Sequence, residues 1–95
     1  MANEGYHEPV SELTDTTRDF HRAIVSLMEE LEAVDWYNQR VETTQDAELK
    51  RILVHNRDEE IEHACMALEW LRRNNECFDE QLRKYLFTDQ PLGAD

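Results

Sequence analysis

The sequence predicts an all-α fold, a two-helix antiparallel hairpin plus a short C-terminal helix, with two copies dimerising into a four-helix bundle. Three observations point there. Only two glycines and two prolines punctuate 95 residues, too few for the frequent turns of a β-rich chain. Apolar residues recur at spacings of three and four in two long stretches, the period of helices that bury one face. The polar run between those stretches, ETTQDAE, is short, and helices joined by short connections lie antiparallel.

The first helix is expected to begin near Pro9 to Ser11, because proline fits the first helical turn and serine caps well. Phe20, Ile24, Leu27, Leu31 and Val34 then form an amphipathic stripe that reaches about Val41. After the break, Asp46 is placed to cap a second helix with Glu48 in its first turn. Leu49, Leu53, Ala64, Ala67 and Leu71 carry its stripe to about Asn74, and Asn74 and Asn75 tolerate the left-handed conformation that ends helices. A third helix of about three turns sets Phe78, Leu82, Tyr85 and Leu86 on one side and stops before Pro91. The whole chain, 1–95, reads as one domain with flexible ends at about 1–8 and about 88–95. A hairpin is half a bundle, so the remaining apolar surface, including Trp36, Trp70 and the third helix, is expected to meet another subunit.

Charge limits the partners. Ten basic against twenty-two acidic residues leave a formal charge of −12, which repels phosphate backbones and anionic headgroups and draws in cations. Nucleic-acid and membrane-surface binding are excluded on that ground. No apolar run approaches the roughly 18 to 20 residues of a membrane span, and MANEGYHEPV lacks the basic flank and apolar stretch of a secretory signal. The chain reads as cytoplasmic. Cys65 and Cys77 form neither a CxxC pair nor part of a ligand cluster and read as reduced thiols.

The chemistry sits in NRDEEIEHACMALEWL, residues 56–71. At about 100° per residue, Glu60 projects within roughly 40° of Leu49, Leu53, Ala64, Ala67 and Leu71, so it faces the core. His63 follows within about 60° on the same surface, whereas Glu62 points about 160° away, toward water. On the first helix Glu30 lies within roughly 40° of Ala23, Val34 and Tyr37, and also points inward. Glu29 and Glu32 share a flanking side with Trp36 and read from spacing alone as an exposed acidic strip. His7, His21 and His55 fall off the site column and read as solvated.

Burying an ionised carboxylate alone costs several kcal/mol, so such a group is protonated, paired or bound to a cation. At this level three plain alternatives stand beside a metal. Glu60 hydrogen-bonds to His63 with a raised pKa; Glu30 and Glu60 pair with arginines such as Arg22 or Arg57; or the helical phase is off by one residue. Three inward groups of ligand type on adjacent helices weigh toward the metal. Carboxylates with an imidazole suit iron or manganese rather than structural zinc or calcium. Bundles that hold two such ions use one Glu from each of two helices and a Glu-x-x-His from each of the other two. This chain supplies half of that set, and a two-fold copy would supply the rest.

With HRAIVSLMEELEAVDWY, HNRDEEIEHACMALEWLRR and YLFT in order and spacing, the sequence resembles the encapsulated ferritins, over nearly the whole chain from HEP onward. The resemblance implies a ferritin-like bundle with ferroxidase activity. Glu30, Glu60 and His63 would be the ferroxidase ligands, holding two irons per dimer interface, with Glu30 and its dimer mate bridging them. It further implies that Glu29 and Glu32 form the acidic strip through which iron enters, with calcium or another divalent cation held there. Trp36 and Tyr37 would stand beside the site, Tyr37 as hydrogen-bond donor, electron source or packing. A homodimer within a ring-shaped decamer, an encapsulin shell protein as partner and a place inside an encapsulin nanocompartment follow in the same way. The ending TDQPLGAD does not look like the short C-terminal peptide by which family members dock into the shell. The competing expectation is a non-catalytic acidic association module whose buried Glu and His specify register. A di-iron hydroxylase would need a substrate cavity, for which a half-bundle dimer leaves little room.

Overall fold

The computed structural model describes residues 5–93. Three α-helices follow a single 3₁₀ turn at Val10–Glu12: α1 (Asp15–Thr43), α2 (Ala47–Asn74) and α3 (Glu76–Tyr85). No strand occurs among the described residues. The all-α expectation holds, with changes at the helix ends.

Each helix starts on a side-chain cap. Thr14 Oγ1 accepts from the Thr17 N–H at 3.1 Å, Asp46 Oδ1 from Leu49 at 2.8 Å, and Asn75 Oδ1 from Phe78 at 2.8 Å, each satisfying an amide that has no intrahelical partner. The first cap corrects the expected start near Pro9 to Ser11. Residues 10–12 close only one turn, through Glu12 N–H to Pro9 O and Leu13 N–H to Val10 O, before Leu13 turns extended at ψ 142°. Arg18 then ties that turn back to α1, donating to Val10 O from Nη2 at 2.7 Å and from Nε at 3.2 Å. The left-handed helix end expected at Asn74 and Asn75 is also absent. Asn75 is extended (φ −150°, ψ 117°), because a new helix begins at once and its side chain is used to cap it. Among non-glycine residues described, Phe87 adopts positive φ, at 55°.

Helices α1 and α2 run antiparallel and face each other, as the pairings Glu30–His63 and Asn38–Arg57 show: a higher number on one meets a lower number on the other. Helix α3 folds against the end of α2, and the Phe78 ring approaches Phe20 of α1 with centroids 6.1 Å apart. The core is thin. Val41, Ala64 and Leu71 are the buried apolar residues among those described. Leu31 and Leu49, counted in the stripes, are 54% and 44% exposed, since one neighbouring helix covers only one side of each stripe. Trp36, Trp70, Ile61 and Met66 are exposed as well.

The shape follows from that. The chain exposes 7570 Å², against about 5,700 Å² for a compact monomer of its mass. Its radius of gyration is 16.8 Å, where about 12 Å would be compact. Of the ends expected to be flexible, 1–4 and 94–95 lie outside the described residues; Tyr6 stacks on His21 with ring centroids 4.2 Å apart.

Candidate metal centre

Helical spacing brings three ligand-type side chains to one place between α1 and α2. Glu30 comes from the middle of α1; Glu60 and His63, one turn apart, come from α2. His63 Nδ1 lies 3.4 Å from Glu30 Oε2 and 3.7 Å from Glu60 Oε2. One donor atom from each residue falls within 4.8 Å of the other two, close enough to share an ion. Among the described residues this is the one group of three such side chains.

The carboxylates are about three-quarters covered, with side-chain exposures of 26% for Glu30 and 25% for Glu60. Glu30 Oε2 is buried and accepts no hydrogen bond. The 3.4 Å approach of His63 lacks hydrogen-bond alignment, so it counts as proximity of charge. A buried acceptor without a donor costs about 1–3 kcal/mol or more. Glu30 sits above its ordinary range: the neighbouring Glu60 carboxylate, which can accept the proton of a protonated Glu30, raises it most, burial next, and the like charge of Glu60 adds, while His63 pulls the other way.

The plain alternatives fare poorly against this geometry. Arg22 pairs with Asp19 at 2.6 Å, and Arg57 pairs with Asp58 at 3.2 Å and donates to Asn38 Oδ1 at 3.1 Å. Among the described ion pairs, neither arginine meets Glu30 or Glu60. At 3.7 Å the Glu60–His63 approach is too long for a hydrogen bond. The helical phase is right, with Glu62 exposed and Glu60 turned inward.

The outer residues are not gathered with these three. Glu29 is exposed and Glu32 half-buried, and neither joins the cluster. Trp36 is 47% exposed. Tyr37 is half-buried with the Arg40 guanidinium carbon 5.3 Å from its ring centroid, so its face is used in a cation–π contact. His21 is not solvated as expected but half-buried beneath Tyr6, a contact invisible to helical arithmetic because Tyr6 lies outside the helix. His55 is exposed and pairs with Glu59 at 2.8 Å, and His7 is exposed. Cys65 and Cys77 are free and exposed. No described helix is long and apolar enough to cross a membrane. Asn38, which accepts from Arg57 across the hairpin, does not stand out in the sequence. Its only signal was a polar residue on the side of α1 that carries Leu31 and Val34.

Residues 5–89 match the family described as EncFtn-like. A "Ferritin-like protein" of Thermotoga maritima is 67% identical over 92 residues, covering 97% of this chain and 80% of that one. An "Encapsulated ferritin-like protein" of Rhodospirillum rubrum is 62% identical over 94 residues, covering 99% of this chain and 67% of that one. The crystal structure of protein ne0167 from Nitrosomonas europaea superposes with a TM-score of 0.91 at 63% identity, over 95% of this chain and 99% of that chain.

Proposed function

This chain belongs to the EncFtn-like family of ferritin-like proteins, and from that premise we propose that it is a ferroxidase. It oxidises ferrous iron with dioxygen at a two-iron site completed by a second copy of itself, and delivers ferric iron for storage inside an encapsulin compartment in the cytoplasm. The encapsulin association is supported by the name of the Rhodospirillum relative. One observation carries the site: Glu30 Oε2 is buried without a donor, facing a second carboxylate and an imidazole. Folding leaves there a negative pocket that a cation satisfies better than any side chain present.

The donor set suits iron. Hard carboxylate oxygens tolerate both oxidation states, and one imidazole adds a borderline ligand. Two carboxylates and one imidazole are too few for two irons, and a two-fold mate doubles them to the four-Glu, two-His set of two-metal bundles. Surface area supports the pairing. The excess over a compact monomer, roughly 1,800 Å² per chain, is more than twice the about 800 Å² that each partner gives to a standard interface and falls in the range of obligate dimers. Ring assembly as a decamer of such dimers belongs to the same proposal.

In this mechanism iron is the substrate. Two ferrous ions are drawn toward the acidic hairpin, Glu29 and Glu32 marking the approach, where another divalent cation such as calcium would also rest. Glu60 and His63 would hold one ion per subunit and Glu30 would be shared between the two subunits' ions, each carboxylate binding in its deprotonated form. Each ion loses one electron and dioxygen accepts both. Holding two donors of single electrons side by side is what the protein contributes.

The test compares oxidation of ferrous iron in air, read by ferric absorbance, for the wild-type protein and Glu60→Ala. The variant is expected to keep its helical circular dichroism and fall to the protein-free rate. Full activity in Glu60→Ala overturns the assignment and leaves a non-catalytic association module as the better reading.

A further inference from the structure

Two polar contacts cross the hairpin at different heights. One joins Glu30 and His63 within the site. The other, Arg57 Nη1 donating to Asn38 Oδ1 at 3.1 Å, lies about 12 Å further along α1 and about 9 Å back along α2. We propose that Asn38 and Arg57 are positioning residues for the metal centre: their bond locks the sliding register of α1 on α2 and so keeps Glu30 opposite Glu60 and His63. The proposal rests on the reading of that centre as an iron site.

Packing alone holds this register weakly. Of the hairpin's apolar residues only Val41, Ala64 and Leu71 are buried, and the one beside the site, Ala64, is the smallest knob a helix can offer. Stripes that repeat at three and four face each other again after a slip of one turn, about 5.4 Å. Such a slip keeps most apolar contacts in kind. It would, however, carry Glu30 from a 3.4 Å approach to His63 to well outside the reach of a shared ion.

What resists the slip is Arg57. Its side chain is 26% exposed, so protein acceptors replace part of its water, while Asn38 and the bond between them face solvent, and what the bond contributes is direction more than strength. Asp58 supplies one at 3.2 Å, but Asp58 is its neighbour on α2 and travels with it whatever α1 does. Asn38 is the acceptor that a slip removes. A polar pair that specifies helix register at some cost in stability is the best-attested role for such groups.

The experiment is calorimetric titration of the full chain with ferrous iron under nitrogen, so that binding is read without turnover. Asn38→Leu is expected to weaken iron binding about tenfold, as loss of a supporting contact around a metal site does, with far-UV circular dichroism unchanged. Arg57→Met should weaken it similarly, and the double variant no further, since both remove one bond. Asn38→Asp, which still accepts from Arg57, should bind like wild type, a rescue that a bulk-stability effect would not produce. If Asn38→Leu is insoluble, Arg57→Met reads the same bond from the other helix. Wild-type affinity in Asn38→Leu, or tighter binding in Arg57→Met, overturns the lock; the latter would mean that Arg57 merely competes with iron for Glu60. Glu60→Ala separates the two claims: it should show no binding, and if it titrates like wild type the iron-site reading fails whatever Asn38 does.

Discussion

Two carboxylate-rich places on α2 lie only about 9 Å apart along the helix, from His63 to Glu69, and the fold treats them in opposite ways. At the elbow between α2 and α3, Glu69 accepts from Arg72 Nε and Nη2 at 2.8 Å each and from Arg73 Nε at 2.7 Å. Asp79 of α3 is bound by Arg72 and, at 2.9 Å, by Arg83. Hydrogen bonds from Arg72 and Arg73 hold Glu69 down to about 2, and those from Arg83 and Arg72 lower Asp79. Arg72 is pushed above its ordinary value by the same carboxylates.

At the proposed metal centre the same residue type goes the other way, Glu30 being raised with an orphaned oxygen. The chain has only ten basic side chains, and it spends three of them within the elbow while the pair Glu30 and Glu60 receives one imidazole. A carboxylate meant to brace two helices is given a fixed guanidinium. One left facing an orphaned acceptor is available to a cation that comes and goes.

Acid should divide the two regions most sharply. If Glu30 holds iron as proposed, protons compete with the metal for it, and the raised value means that they do so while the pH is still above the ordinary 4.5. Glu69, lowered from 4.5 to about 2, contributes its full share of stability above pH 4.5 and loses it only as the pH falls toward 2. Glu30 has the reverse sign: its protonated form favours the metal-free fold below pH 4.5, and that contribution is lost as the pH rises through its raised value. At pH 4.5, iron affinity is expected to be more than about twofold below that at pH 7, while the protection factors of the α3 amides, corrected for the intrinsic pH dependence of exchange, stay unchanged. Iron affinity and α3 protection collapsing together would erase the distinction.

Arg72→Met attacks the other side of the comparison. It strips Glu69 and Asp79 of a shared partner, so α3 amides should exchange faster and the thermal midpoint drop by a few degrees. Iron binding should stay within about twofold, as for independent sites; its loss alongside α3 would show that the elbow supports the centre. His55→Ala is the smallest test. Its pair with Glu59 is exposed on both sides, so chemical denaturation should shift by less than about 0.5 kcal/mol and iron oxidation should match wild type.

The legible parts were those that depend on neighbours in sequence. A repeat of three and four is enough to call α1 and α2, and a turn of about 100° per residue separates Glu60 from Glu62. Thr14 was harder to see, because Pro9 and Ser11 offered an equally good start and only the extended Leu13 shows that the first turn stops. Asn75 was misjudged for a related reason: its residue type suits ending a helix or starting one, and the immediate onset of α3 selects the second. The stacking of Tyr6 on His21, the folding of Arg18 onto Val10 and the Arg72 bridge to Asp79 join separate turns or separate elements, and no periodicity reports them.

Sequence by itself therefore determined which faces of the helices carry Glu30, Glu60 and His63, because side-chain direction along a helix follows from the local twist of the backbone. Only the packed hairpin settles that Glu30 meets His63 rather than a side chain one turn away, and that Arg22 and Arg57 are engaged elsewhere. Those outcomes rest on contacts such as Asn38 with Arg57, 19 residues apart, and a repeating stripe looks the same from every register.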